Sequence, residues 1–207
     1  MGALPEQLAD HWWQRPGRQP GRLQYHWHIL FHSQPKVHEL AAAGQRKLAG
    51  LAGLDLVPLQ WLHLTTFTLG FADQVPGQAV DAMVATATQI LAETQPIAVS
   101  LGRVFYHPEA ITLLVEPADS LEPVLSAVQV AAREAGCDGR AATNPWRPHI
   151  SIAYSNGSGP AAPVIEALGL EVPPTQITIR SVSLVAQAQV GHSWQWQPVA
   201  EVRLGTG

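Results

Sequence analysis

Apolar residues along the chain fall into short blocks that switch between strand and helix periods. Leu23 to Phe31 (LQYHWHILF) crowds aromatic and β-branched side chains into a short run, which predicts a strand. Val37, Leu40, Ala41, Leu48 and Leu51 recur near helical spacing and predict a helix over 36–51. Residues 56–69 are apolar and β-rich apart from His63 and its threonines, a strand region with a break expected at Pro58. Val80, Met83, Val84, Ala87, Ile90 and Leu91 form the stripe of a second helix over 77–93, stopped by Pro96. Strands over 97–106 and 111–115 follow, joined by His107-Pro108-Glu109, and then a third helix over 121–135 that ends at Gly136. A strand over 149–154, a short helix over 162–168 and two closing strands, near 176–190 and 194–204, complete the pattern.

This order, β α β α β β α β α β β, predicts a strand-rich α+β fold. It also repeats itself. Strand, helix and His-bearing strand fill the first third, and a strand pair, helix and His-bearing strand fill the middle. Residues 1–21, rich in Pro, Gly and Gln around His11-Trp12-Trp13, read as a surface lead-in to a single domain over 22–204.

Composition narrows the function classes. The 207 residues are 46% hydrophobic and 14% charged, enough for a real core and unlike a disordered tail. No apolar run approaches the ~18 residues of a membrane span. Twelve basic residues against sixteen acidic ones give a net charge of −4, with the basic residues scattered. A protein that tracks long nucleic acid would carry a basic stripe, so any nucleic-acid substrate is expected to be short or held by an end. The lone cysteine, Cys137, excludes an internal disulfide and a multi-cysteine zinc site. The first residues carry Glu6 and Asp10 and no apolar h-region, so a cytoplasmic protein is expected, with no membrane contact and no obligate protein partner in evidence.

Two of the nine histidines have chemically meaningful neighbours. His63-Leu64-Thr65 lies in WLHLTTFTLG and His149-Ile150-Ser151 in RPHISIAYS. In a strand, residues i and i+2 share a face, so each segment presents an imidazole beside a hydroxyl while Leu64 and Ile150 point to the core. Chance alone gives roughly one such tripeptide in a chain of this composition. A buried structural histidine accounts for one such site but poorly for two, in corresponding places of two similar segments. With an unperturbed pKa near ~6.5, one imidazole can act as base while the other acts as acid near neutrality. The hydroxyls, with a nearby arginine, can donate to phosphoryl oxygens, an arrangement that fits opening of a cyclic phosphate by water.

With these two motifs, H-L-T-T and H-I-S-I, the chain resembles the 2H phosphoesterase superfamily, and within it the 2′-5′ RNA ligase and RNA 2′,3′-cyclic phosphodiesterase-like group. Thr66 departs from the apolar residue usual at the end of the first motif. The element order agrees from about 22 to 204, including the Arg-Pro before the second histidine. The resemblance implies a bilobal fold of two pseudo-symmetric antiparallel sheets with outer helices and a central cleft holding both histidines. It also implies His63 as general acid to the leaving ribose oxygen, His149 as general base to water, Thr65 and Ser151 as phosphate holders, and no metal or other cofactor. By sequence symmetry the acid and base could be exchanged. The substrate expected is an RNA end, short oligonucleotide or small cyclic nucleotide. The alternatives are the ligase direction on the same site, or a nucleotide-binding module without turnover, for which two intact histidines would be superfluous.

Weaker candidates surround this pair. Arg147, two residues before His149, would share the active face and neutralise phosphate. Tyr154 and Phe67 could stack on a base but are more simply core, and Arg103 resembles Arg147 in standing at a strand. His26 and His28 would share one strand face, which with His32 admits a metal reading, although no acidic partner stands at ligand spacing. Trp12, Trp13, Trp194 and Trp196 read as packing near the termini.

Overall fold

Strand pairing in the computed structural model, which describes residues 4–14, 19–141 and 145–205, gathers the β-rich segments into two five-stranded antiparallel sheets. In chain order the elements are β1 (Gln7–Leu8), β2 (Gln24–Leu30), α1 (Pro35–Leu48), β3 (Leu54–Leu56), β4 (His63–Phe71), α2 (Gly77–Leu91), β5 (Ile97–His107) and β6 (Ala110–Glu116). They continue with α3 (Glu122–Glu134), β7 (Arg140–Ala141), β8 (His149–Ser155), β9 (Gly159–Pro160), α4 (Ala162–Leu168), β10 (Glu171–Ile179), β11 (Ser181–Val190) and β12 (Ser193–Arg203). The first sheet runs β12-β11-β2-β4-β7 and the second β10-β5-β6-β8-β3. Helices α2 and α3 pack on the first sheet through β12 and β4, and α1 packs on the second through β8 and β10, with α4 beside it. The expected α+β fold with two antiparallel sheets and outer helices is what forms.

The two halves of the chain interlock. From β2, in the first sheet, α1 crosses to the second and β3 pairs there with β8 before the chain returns to β4. From β6, in the second sheet, α3 crosses to the first and β7 pairs there with β4 before the chain returns to β8. Each His-bearing strand is therefore flanked by an edge strand lent from the other half. Burial holds the exchange in place: Val37, Ala41 and Leu48 of α1 and Val124, Val128 and Ala131 of α3 are at most 1% exposed. Each large aliphatic side chain so buried contributes about 1.5–3 kcal/mol.

Gly139 sits where this exchange is tightest. A Cβ there would overlap the Phe67 ring and lie 2.8 Å from the Thr68 carbonyl oxygen, so only glycine lets the chain approach β4 closely enough to pair as β7. Gly139→Ala should lower stability by about 1–3 kcal/mol through overpacking. A denaturant midpoint equal to that of the parent protein would show that β4 yields without cost.

The break expected at Pro58 is present, with β3 ending at Leu56 in one sheet and β4 opening at His63 in the other. One expectation changes: the closing strand expected over 176–190 is two, β10 and β11, and they lie in different sheets. β10 buries Ile177 and Ile179, on alternate positions, whereas β11, central in its sheet, is buried on both faces from Val182 to Ala188. Residues 7–12 run along the second lobe: β1 pairs with β9, Ala9 donates to the Pro108 carbonyl and His11 to that of Ser155. Among the described residues no helix is long and apolar enough to cross a membrane.

Candidate active site

His63 opens β4 and His149 opens β8, and the two are held alike. The Nδ1–H of His63 donates to the Trp61 carbonyl at 2.9 Å, and that of His149 to the Arg147 carbonyl at 2.7 Å. A bond from Nδ1–H to the carbonyl two residues back fixes the ring and its tautomer, so Nε2 keeps the lone pair for chemistry. Leu64 and Ile150 are 0% exposed, while His63, Thr65, His149 and Ser151 are all partly exposed. The strand alternation thus sets imidazole and hydroxyl on one face in both motifs. Thr66, the polar departure in the first motif, is fully buried and donates to the Trp27 carbonyl at 2.8 Å, so its hydroxyl carries no desolvation debt.

The exchange of edge strands brings the motifs together. β7 pairs with β4 through Phe67 and Thr68, and the Trp146 indole N–H, just ahead of β8, donates to the Thr65 carbonyl at 3.3 Å. Burial lowers the His63 pKa to about 4, opposed by the Trp61 carbonyl, and the His149 charge lowers it further. Burial also lowers His149, the Arg147 carbonyl opposing and the charges of His107 and Arg147 assisting. Two imidazoles that feel each other's charge cannot easily both be protonated, which is the electrostatic condition for one acid and one base.

The surroundings of His63 were not legible in the sequence. Its ring centroid lies 4.4 Å from that of His28 and 4.8 Å from that of Trp196, and Trp61 stands edge-on to Trp196. His28 is fully buried, with Nε2 2.6 Å from the Gln187 side chain and Nδ1 3.2 Å from the Trp27 carbonyl. Burial, then the charges of His63 and His26, hold it neutral. His26 is kept low, to about 3, by burial, then His63 and Arg140, and its Nδ1 meets the Thr68 hydroxyl. Both ring nitrogens of His28 and the Nδ1 of His26 already meet these partners. Among the described residues no group of three or more His, Cys, Asp or Glu is placed to hold a metal, and His32 is exposed beyond the end of β2. Trp196, read from the sequence as packing near the terminus, is a wall of the His63 site.

Other candidates divide between core and cleft. Phe67 is buried beneath Gly139, and Tyr154 is buried with its ring stacked 4.2 Å from His11, so neither is placed to receive a base. Trp12 and Trp194 join that cluster: the Trp12 indole donates to Asp55 at 2.8 Å and the Trp194 indole to His11 at 3.0 Å. Asp55 also receives His192 Nδ1–H and the Asn156 amide, both at 2.8 Å. Trp13 stays half exposed, donating to Glu109. Arg147 is exposed, its guanidinium 4.6 Å from the Phe105 ring centroid. Arg103 lies opposite Leu114, which lies opposite His149, so directly paired residues carry Arg103 to the same face as His149.

Comparison with known proteins places this arrangement. A family model described as the 2′-5′ RNA ligase superfamily matches residues 33–191. No curated protein matches. Among solved structures, TT0787 of Thermus thermophilus is similar with a TM-score of 0.66 at 17% identity, covering 89% of this chain and 100% of that one. LigT of E. coli, solved with 3′-AMP, is similar at TM-score 0.63 and 16% identity, over 90% of this chain and 100% of LigT, and has also been solved with ATP, NADP+ and phosphate. The PDE domain of MHV ns2 is similar at 0.57 and 12% identity, over 88% of this chain and 100% of that domain.

Proposed function

Because this chain belongs to the 2′-5′ RNA ligase superfamily, whose model spans 33–191, we propose that it is a phosphodiesterase that opens 2′,3′-cyclic phosphates by two-histidine acid–base catalysis. The observation that carries the reading is the matched pair of imidazoles, each tied through Nδ1 to the carbonyl two residues back and each beside a hydroxyl on its own strand face. One imidazole takes a proton from water as its oxygen bonds to phosphorus. The other gives a proton to the ribose oxygen as its bond to phosphorus breaks, leaving a phosphate monoester on the neighbouring oxygen. Thr65 and Ser151 donate to the non-bridging oxygens, and Arg147 balances their charge. The substrate anion between the histidines raises the one that must be protonated, which the protein alone holds neutral.

The resemblance assigns the acid to His63 and the base to His149. Burial lowers both imidazoles, so either can serve as the neutral base and the assignment rests on the resemblance. Turnover of a 2′,3′-cyclic nucleotide in EDTA tests the activity, with undiminished rate and a bell-shaped pH profile expected. A nucleoside p-nitrophenyl phosphate tests the roles, since such a leaving group needs no acid: the variant lacking the acid histidine recovers on it and the variant lacking the base does not. Failure to cleave any cyclic phosphate would overturn the reading. The same site could join RNA ends, with a 5′-hydroxyl replacing water as nucleophile; the family's description supports this second reading, and added 5′-hydroxyl oligonucleotide measures it as ligated product.

A further inference from the structure

One imidazole that the mechanism does not use lies against one that it does. His28 of β2 is fully buried, its ring centroid 4.4 Å from that of His63 and tilted 34° to it, so it covers a face of the His63 ring. Register brings them together, His28 pairing with Thr65 and Leu30 with His63. Trp196 of β12 stands edge-on to both rings, 4.8 Å from His63 and 5.7 Å from His28. A single hydrogen bond, such as that from His63 Nδ1–H to Trp61, fixes one atom of a ring and leaves the ring free to pivot about it. A flat neighbour removes the pivot, and the rate is sensitive to such errors because misplacement of a reacting group by about 1 Å can cost on the order of 10²-fold. His149 has the matching bond to Arg147 but stands in the other sheet, so His28 serves His63.

His28 is itself held in place. A neutral imidazole donates from one nitrogen and accepts at the other, and its Nδ1 lies 3.2 Å from the Trp27 carbonyl while its Nε2 lies 2.6 Å from the Gln187 amide. An amide both donates and accepts, so Gln187 satisfies the second nitrogen whichever tautomer is present. Gln187 pairs with Trp196 across β11 and β12, so one register step supplies both the clamp on His28 and the edge against His63. Few charged groups face this stack. β2 adds His26, 5.2 Å from His28, and β7 adds Arg140, whose charge reaches His26. β8 adds His149, and Asp55 of β3 with His192 of the β11–β12 turn lines a small pocket that reaches His63. Burial keeps His26 and His28 neutral, so they give His63 cover and not charge.

We infer that His28 is a positioning residue for His63: clamped by Gln187, it covers the His63 ring, keeps water from that face and stops its pivot, so that Nε2 meets the phosphate in one orientation. The inference rests on the proposed activity and adds to it a residue that touches no substrate. His28→Ala should lower kcat for a 2′,3′-cyclic nucleotide by ~10-fold or more with KM little changed, as expected when only the orientation of a reacting group is lost. Opening that face to water should also raise the His63 midpoint from about 4 toward ~6.5, moving the limb of the pH–rate profile that reports His63 to higher pH. His28→Phe restores a flat cover and should recover most of the rate and the low midpoint. Gln187→Ala, which loosens His28 without removing it, should give the same changes in smaller degree, and it carries the test if His28→Ala does not fold. A histidine that merely fills the core would lower the urea midpoint while leaving kcat and the His63 titration at parent values, and that result in the folded variants would overturn the inference. Imidazole NMR reads the titration without turnover, which separates this from failure of the activity. If no cyclic phosphate is cleaved, a His63 midpoint that rises in His28→Ala and returns in His28→Phe still shows that His28 sets the state of His63; an unmoved midpoint removes that role as well.

Discussion

His63→Ala and His149→Ala should each slow opening of a 2′,3′-cyclic phosphate by ~10²-fold or more, the scale for losing a general acid or base. The fold should survive, since both side chains are partly exposed and neither supports a core contact in the way Leu64 or Ile150 does. The two losses should not multiply, because acid and base act on one phosphoryl transfer and removal of either already forfeits the concerted step. Thr65→Ala and Ser151→Ala should cost less, as each removes one of several donors to the phosphate. Rates measured on the two single variants and the double variant, with circular dichroism to check folding, decide the matter. A normal rate in either single variant removes that histidine from the mechanism and leaves a binding module.

Acid should unfold this protein steeply between about pH 6.5 and 4. Burial lowers His26 to about 3, His63 to about 4, His28 well below its usual value and His149 in the same direction. In the unfolded chain each takes a proton near ~6.5, whereas the folded protein refuses it until much lower pH. Below ~6.5 the unfolded state therefore binds more protons, and stability falls as pH falls. Above that value these groups leave stability unchanged. Each contributes a slope of up to about 1.4 kcal/mol per pH unit while only its unfolded form is charged, so the fall is steepest where several do so together. Asp73, held low by Arg22, titrates below this window. Urea midpoints at pH 7.5, 6, 5 and 4.5 read the effect, and His28→Gln should flatten the slope by about one proton even if it lowers the plateau. A midpoint constant down to pH 4.5 would mean that these imidazoles are not held neutral.

Much of this was carried by local pattern. The strand period around His63 and His149 fixes which side of each strand the imidazole and hydroxyl occupy, because Leu64 and Ile150 have to be buried. The helical stripes of α1, α2 and α3, and the repeat of strand, helix and His-bearing strand, follow from the same preference of apolar side chains for one covered face. What local pattern misses is pairing. β3 and β7 are edge strands of three and two residues, too short to show a period, and they join the sheet of the opposite half. The Pro58 break was visible, yet the change of sheet it makes was not.

The sequence by itself determined the α+β composition, the two His-x-Ser/Thr faces and their family likeness, since these depend on residues near one another in the chain. Only the tertiary structure decided that α1 and α3 exchange lobes, that Trp146 ties the second motif to Thr65, that His28, Trp196 and Trp61 wall His63, and that Arg103 and Phe105 share a groove beside His149. Those contacts join residues tens to more than a hundred positions apart. Their partners are chosen by which sheets stack and in what register, and burial, not sequence proximity, sets the energy of that choice.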